Sequence, residues 1–155
     1  MKNVIKKLKE YRSQIDLNKR FDYKFDIFNM IFNSTETEIL SKAANPFDQN
    51  IILKWILSKK YKITFHNTPL DFWIINNWGG IRGFKPIERN IEKIKKFKKQ
   101  LEKRRLSLDS FSTISSLSKL SSFIDPDKFV IYDSRVIYTL NWLILTCENQ
   151  GGLNE

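Results

Sequence analysis

The 155-residue sequence predicts a single, mainly α-helical domain. Three observations lead there. The length leaves room for one core and not for two. Apolar residues recur at three- and four-residue spacing along most of the chain, whereas one short segment alone alternates as a strand would. With 41% apolar and 14% aromatic residues, the chain can also bury a core rather than stay disordered.

Taken in order, residues 2–16 set Ile5, Leu8, Tyr11 and Ile15 at helical spacing with lysines between them, the pattern of an amphipathic surface helix. Residues 21–32 are rich in aromatics and have no clear period. Thr35 with Glu38 has the form of a capping box, opening a short helix that Asn45-Pro46 ends. Asp48 is the expected cap of the next helix, which carries Ile51, Ile52, Trp55 and Ile56. Residues 61–65 alternate like a strand but have no evident partner. Residues 70–78 are apolar and stop at Gly79-Gly80.

From Pro86 a long helix is expected, with Ile91, Ile94, Phe97 and Leu101 on one face. Asp109 or Ser110 is the expected cap of another, striped by Phe111, Ile114, Leu117, Leu120 and Ile124 and broken at Asp125-Pro126. A short extended piece then leads to Asp133, the expected N-cap of a last helix through Val136, Leu140, Leu143 and Cys147. The sequence stops at Gly151-Gly152-Leu-Asn-Glu, just past that apolar helix, which fits a truncated relative of a longer protein.

Net charge is +10 with a pI near 9.7, so the domain is attracted to polyanions: nucleic acid, anionic lipid or an acidic protein. Much of the charge is local. Between Arg82 and Arg105 stand eleven basic residues against three glutamates, so eight of the ten net charges fall within 24 residues. Lysines along a helix can each neutralise a phosphate and release a counterion, which positions a protein on a duplex without reading its sequence. Arg82, Lys85, Lys95, Lys96, Lys98, Lys99, Arg104 and Arg105 are therefore the expected DNA contacts; the competing reading is a solvated helix face.

Other classes find less support. One cysteine and one histidine rule out an internal disulfide and a zinc-type spacing. No segment reaches the ~18 apolar residues of a membrane span, and the basic N-terminus lacks a signal peptide's apolar run. A cytoplasmic protein with neither membrane nor cofactor is expected. The acidic residues are scattered rather than clustered for a metal. His66 stands alone and reads as a surface or core residue. In Trp78-Gly-Gly-Ile-Arg-Gly-Phe-Lys, three glycines lie close to Arg82 and Lys85. The segment suits approach to a phosphate backbone, and Trp78 could stack on an unpaired or flipped base. Trp73 reads as core.

Residues 118–142, SKLSSFIDPDKFVIYDSRVIYTLNW, carry a more specific pattern. A Ser-Lys helix leads through a Pro-Asp turn to I-Y-D-S-R-V. This resembles the helix-hairpin-helix DNA glycosylases, and within them the bacterial proteins similar to 8-oxoguanine DNA glycosylase; the resemblance extends over residues 106–145. It implies a helix-hairpin-helix glycosylase-like fold and contact with DNA. Asp133 would take the place of the aspartate that stabilises positive charge on the deoxyribose, and Ser134 and Arg135 would lie at the DNA. A lysine that attacks the sugar is also implied, as in abasic-site lyases.

The chain departs from the pattern there. The family's lysine follows a glycine-rich hairpin some eighteen or nineteen residues before the aspartate. Here positions 114 and 115 are Ile and Ser, residues 106–117 hold no glycine, and the nearest lysine is Lys119. Serines at 107, 110, 112, 115 and 116 are left to offer hydroxyls to a phosphate. For Asp133 the plain alternative is helix capping alone; for Lys119, a solvated helix side chain. The functions that compete with a glycosylase are a non-catalytic DNA-binding or regulatory protein on the same scaffold, and a toxin-like interaction module with a basic face for an acidic protein partner.

Overall fold

A computed structural model describes residues 2–16, 19, 22–27 and 30–148. Among these the secondary structure is helical, with no strand. The α-helices are α1 (Lys2–Gln14), α2 (Ser34–Ser41), α3 (Pro46–Ile63), α4 (Thr68–Phe72), α5 (Glu88–Glu102), α6 (Leu108–Phe111), α7 (Ile114–Ile124) and α8 (Ser134–Glu148); a π-helical turn, Trp73–Trp78, continues α4. The terminal Gly151-Gly152 lies outside the described residues.

Side-chain chemistry sets the boundaries. The capping box before α2 is Asn33 with Glu36, two residues earlier than the sequence suggested: Asn33 Oδ1 accepts from the Glu36 N–H, and Glu36 Oε2 accepts from the Asn33 N–H, both at 2.9 Å. Asn45, not Asp48, caps α3, with Pro46 in the first turn where its missing N–H costs nothing. Helix α3 then runs on to Ile63, so residues 61–63 are its last turn and not a strand. Its inner face is Asn50, Leu53, Ile56, Leu57 and Tyr61, leaving Ile51 and Trp55 exposed.

The single helix expected after residue 109 is two. Ser107 Oγ accepts from the Ser110 N–H to cap the single turn of α6, and a turn at Ser112-Thr113 restarts the chain as α7.

Helix α7 is the centre, packed against α3, α5, α6 and the π-helical turn. Leu117, Leu120 and Phe123 are fully buried, and Ser116, Ser118, Ser121 and Ser122 are buried beside them. The serines keep the helix thin, so that its neighbours can approach closely. Ser121 and Ser122 satisfy their hydroxyls on the carbonyls of Ser118 and Lys119. Ile94 and Phe97 of α5 are buried as their spacing predicts. Helices α1 and α8 pack on each other. Ile5, Leu8, Trp142 and Leu145 there stay half exposed.

Polar clusters among the described residues tie the interior together. Lys98 Nζ donates to both Asp71 oxygens at 2.8 Å and to the Phe65 carbonyl at 2.6 Å, and the Tyr61 hydroxyl donates to Asp71 Oδ1 at 2.7 Å. This joins α3, α4 and α5. Burial pushes the Tyr61 hydroxyl well up, aided by the Asp71 charge. In the second cluster the Trp78 indole N–H donates to Asn50 Oδ1 at 2.7 Å, and Asn50 Nδ2 donates to the carbonyls of Tyr23 and Pro46.

Candidate nucleic-acid interface

Asp133 precedes α8, where its Oδ1 accepts the N–H groups of Arg135 and Val136 at 3.1 Å. It is therefore the expected cap. Its other oxygen, Oδ2, stands 3.9 Å from Lys119 Nζ, and the two side chains are 27% and 13% exposed. The chain thus brings together the two residues singled out for chemistry.

Ser118 is what aligns them. Its hydroxyl accepts from the Tyr132 N–H at 2.9 Å and donates to the Tyr132 carbonyl at 3.3 Å, acting toward the extended chain as a neighbouring strand would. Because Lys119 and Asp133 follow these two residues directly, pinning Ser118 to Tyr132 sets the pair side by side. Lys119 Nζ also donates to the Ser115 carbonyl at 3.2 Å.

The glycine-rich loop closes over the same lysine. A Cβ on Gly79 would lie 2.7 Å from Lys119 Cδ and 2.6 Å from the Ile75 carbonyl oxygen, so only glycine lets the turn sit there. That carbonyl is already engaged by the wide bonding of the π-helical exit, where Gly79 N–H donates to Ile74 O and Ile81 N–H to Ile75 O. Gly80 has φ +69°. With Lys24, Asp26, Asn76, Asn77 and Arg82 it lines a cleft of about 430 Å³. Among the described residues, the buried Asn76 Oδ1 has no hydrogen-bond partner.

The basic helix is less uniform than its sequence. Lys98 is 0% exposed and belongs to the buried Asp71 cluster, so it does not face a polyanion; its place on the apolar side of α5, next to Phe97, is the reason. Lys95 pairs with Glu92 at 2.7 Å, and Lys96 with Asp109 at 3.2 Å. Lys93 lies 3.8 Å from the same Asp109. The Lys96 hydrogen bond and charge hold the Asp109 carboxyl below its usual range. Lys95, Lys96, Lys99 and Lys103 nevertheless share a shallow groove of about 320 Å³ with Glu92 and Gln100. Arg82, Lys85, Arg104, Arg105, Ser134 and Arg135 are exposed.

Trp78 is 7% exposed and packs edge-on to Phe123, with ring centroids 4.6 Å apart. Its polar edge is used by Asn50, so it is a core residue and not an accessible stacking surface. Trp73 is buried as well, and His66 is exposed. Sequence reading missed Asp71, Tyr61, Asn50 and Ser118. The only signal for them was a polar residue at a core position of an apolar helix, which spacing alone does not separate from a surface residue.

Among the described residues no helix is long and apolar enough to cross a membrane, and no group of three His, Cys, Asp or Glu could hold a metal ion. The chain matches no protein-family model, no curated protein and no solved structure.

Proposed function

We propose that this protein binds duplex DNA with the α5 groove and the Gly79–Lys85 loop, and acts on it, as a base-excision DNA glycosylase does, at the Lys119–Asp133 pair. The observation that carries the reading is that pair. A lysine and an aspartate fourteen residues apart stand within 4 Å beside a glycine turn, at the N-terminus of a helix.

In this reading the target nucleotide leaves the stack. The Asp133 carboxylate stabilises the positive charge that grows on the deoxyribose as the glycosidic bond breaks. The base departs with the bonding electron pair and takes up a proton. The Lys119 ammonium must lose a proton before it can attack, and Asp133 is the group beside it. Attack of the neutral amine forms a C1′–N bond; the nitrogen then gives up a proton, which the ring oxygen takes as the C1′–O bond breaks, leaving the Schiff base.

A binding protein that retains only the scaffold is the second reading. It is favoured by the N-terminus of α7, where Thr113, Ile114 and Ser115 stand in place of hairpin glycines.

Borohydride trapping on duplexes with an abasic site or 8-oxoguanine, with Lys119→Gln and Asp133→Asn beside wild type, separates the readings. A trapped adduct that vanishes in Lys119→Gln supports the enzyme. No adduct and no base release, with salt-sensitive binding intact in all three proteins, supports the binding module. Absence of any salt-dependent DNA binding overturns both.

A further inference from the structure

Trp78 is buried, but Phe111 and Tyr132 are among the exposed aromatic rings of the described residues. Between the C-terminal end of α5, α6, α7 and the extended chain before Asp133 there is a cavity of about 710 Å³. Its walls are mostly apolar, built from Phe97, Leu101, Leu106, Ile114, Phe129 and Val130. Two further lining residues, Phe111 and Tyr132, turn partly to solvent, at 51% and 37% exposure, with ring centroids 5.9 Å apart. Arg104 and Arg105 line it as well, beside the polar Gln100, Ser118, Ser121 and Lys128. Asp109 is taken by Lys93 and Lys96, and Asp125 by Lys128, so neither guanidinium is in an ion pair among the described residues. Arg104 also has φ +52°, a backbone conformation in which glycine would be unstrained.

We infer that this cavity takes an unpaired nucleotide, its base against Phe111 and Tyr132 and its phosphate on Arg104 and Arg105. Aromatic rings beside unpaired cations are the chemistry by which proteins hold single strands, because every base has a π-face. Size and apolar walls suit a flat ring system. Continuity points the same way. Gln100 lines both this cavity and the lysine groove of α5. At the other end Ser118 and Tyr132 line it, and the next residue after each is Lys119 and Asp133. A strand displaced from a duplex on the lysine groove would enter the cavity with its backbone beside the pair. The inference rests on the nucleic-acid reading above, yet the two fail separately.

The test measures fluorescence anisotropy of labelled oligothymidine and of a labelled blunt duplex, each across a salt series. The proteins are wild type, Phe111→Leu, Tyr132→Leu, Arg104→Gln with Arg105→Gln, and Lys95→Gln with Lys99→Gln. Leucine keeps apolar volume and removes the ring, so folding is preserved while stacking is lost. Either leucine variant is expected to weaken oligothymidine at least about fivefold and leave the duplex unchanged. The arginine variant is expected to lower the salt slope for oligothymidine, and the lysine variant the slope for the duplex. Unchanged oligothymidine affinity in both leucine variants overturns the inference, as does wild type that binds duplex alone. Wild type that binds oligothymidine through the rings but not the duplex upholds it and removes the duplex reading.

Discussion

Lys119 Nζ stands 3.9 Å from Asp133 Oδ2, while the other oxygen of the same carboxylate caps α8. One aspartate thus serves a helix and a lysine together, and substitutions can separate the two roles. Asparagine caps as well as aspartate, whereas alanine does not. Asp133→Asn is expected to leave the melting temperature close to wild type, and Asp133→Ala to cost about 0.5–2 kcal/mol of stability in denaturant unfolding. If the pair does chemistry, both variants lose it equally. Loss of activity in alanine alone would leave only the cap.

Ser118 holds that geometry. In Ser118→Ala the backbone N–H and carbonyl of Tyr132 lose their partner, which costs roughly 1–3 kcal/mol where the groups are shielded from water. Amide hydrogen exchange should show faster exchange at Tyr132 with α7 still protected. If the pair does chemistry, its activity should fall further than the loss of folded protein explains.

Gly79 is the second support. An added methyl would meet backbone carbonyls at 2.6 and 2.9 Å as well as the Lys119 stem, and backbone cannot yield as a side-chain end can. Gly79→Ala is expected to destabilise by roughly 1–3 kcal/mol. Gly83→Ala, where a methyl meets nothing, should change thermal unfolding little.

Lysines on α5 should divide into two kinds. Lys98→Met strands the Asp71 carboxylate in the core and is expected to cost about 3–5 kcal/mol, recovered in large part by adding Asp71→Leu. Lys99→Met should leave stability within about 0.5 kcal/mol of wild type. It should lower the slope of log affinity against log salt for duplex DNA by about 0.9. Urea unfolding and salt titration check the two together.

Asp109 links pH to the basic groove. Its carboxyl lies below the usual value of about 3.9, held down by Lys96 first, so the unfolded chain binds the proton more tightly than the folded one. The stabilisation is therefore present above about pH 3.9 and is lost as pH falls through the lower folded value. It is small, because both side chains are exposed. Asp109→Asn is expected to flatten this limb of the stability profile. At neutral pH it should strengthen duplex binding and steepen its salt dependence, since Lys93 and Lys96 are released for phosphate.

Much of the helical order was legible in the sequence, because periodicity records which face of a segment avoids water. The stripe of α5, the stop at Gly79-Gly80 and the cap at Asp133 follow from residues within a few positions of each other. Local signals competed at Asn33, Asn45 and Ser107, where several capping residues stand close together and the backbone conformation decides which one bonds. Burial was harder to read. Lys98 and Trp78 carried the surface chemistry of their neighbours in sequence, but Asp71 and Asn50, from other helices, supply the hydrogen bonds that make burial affordable.

The sequence by itself determined the all-helical class, the charge and most of the helical segments, since these depend on short-range spacing and composition. Only the tertiary structure decided which residues meet. Lys119 reaches Asp133 through a serine on one helix and a glycine from a distant turn, and contacts between remote segments depend on packing that spacing does not encode.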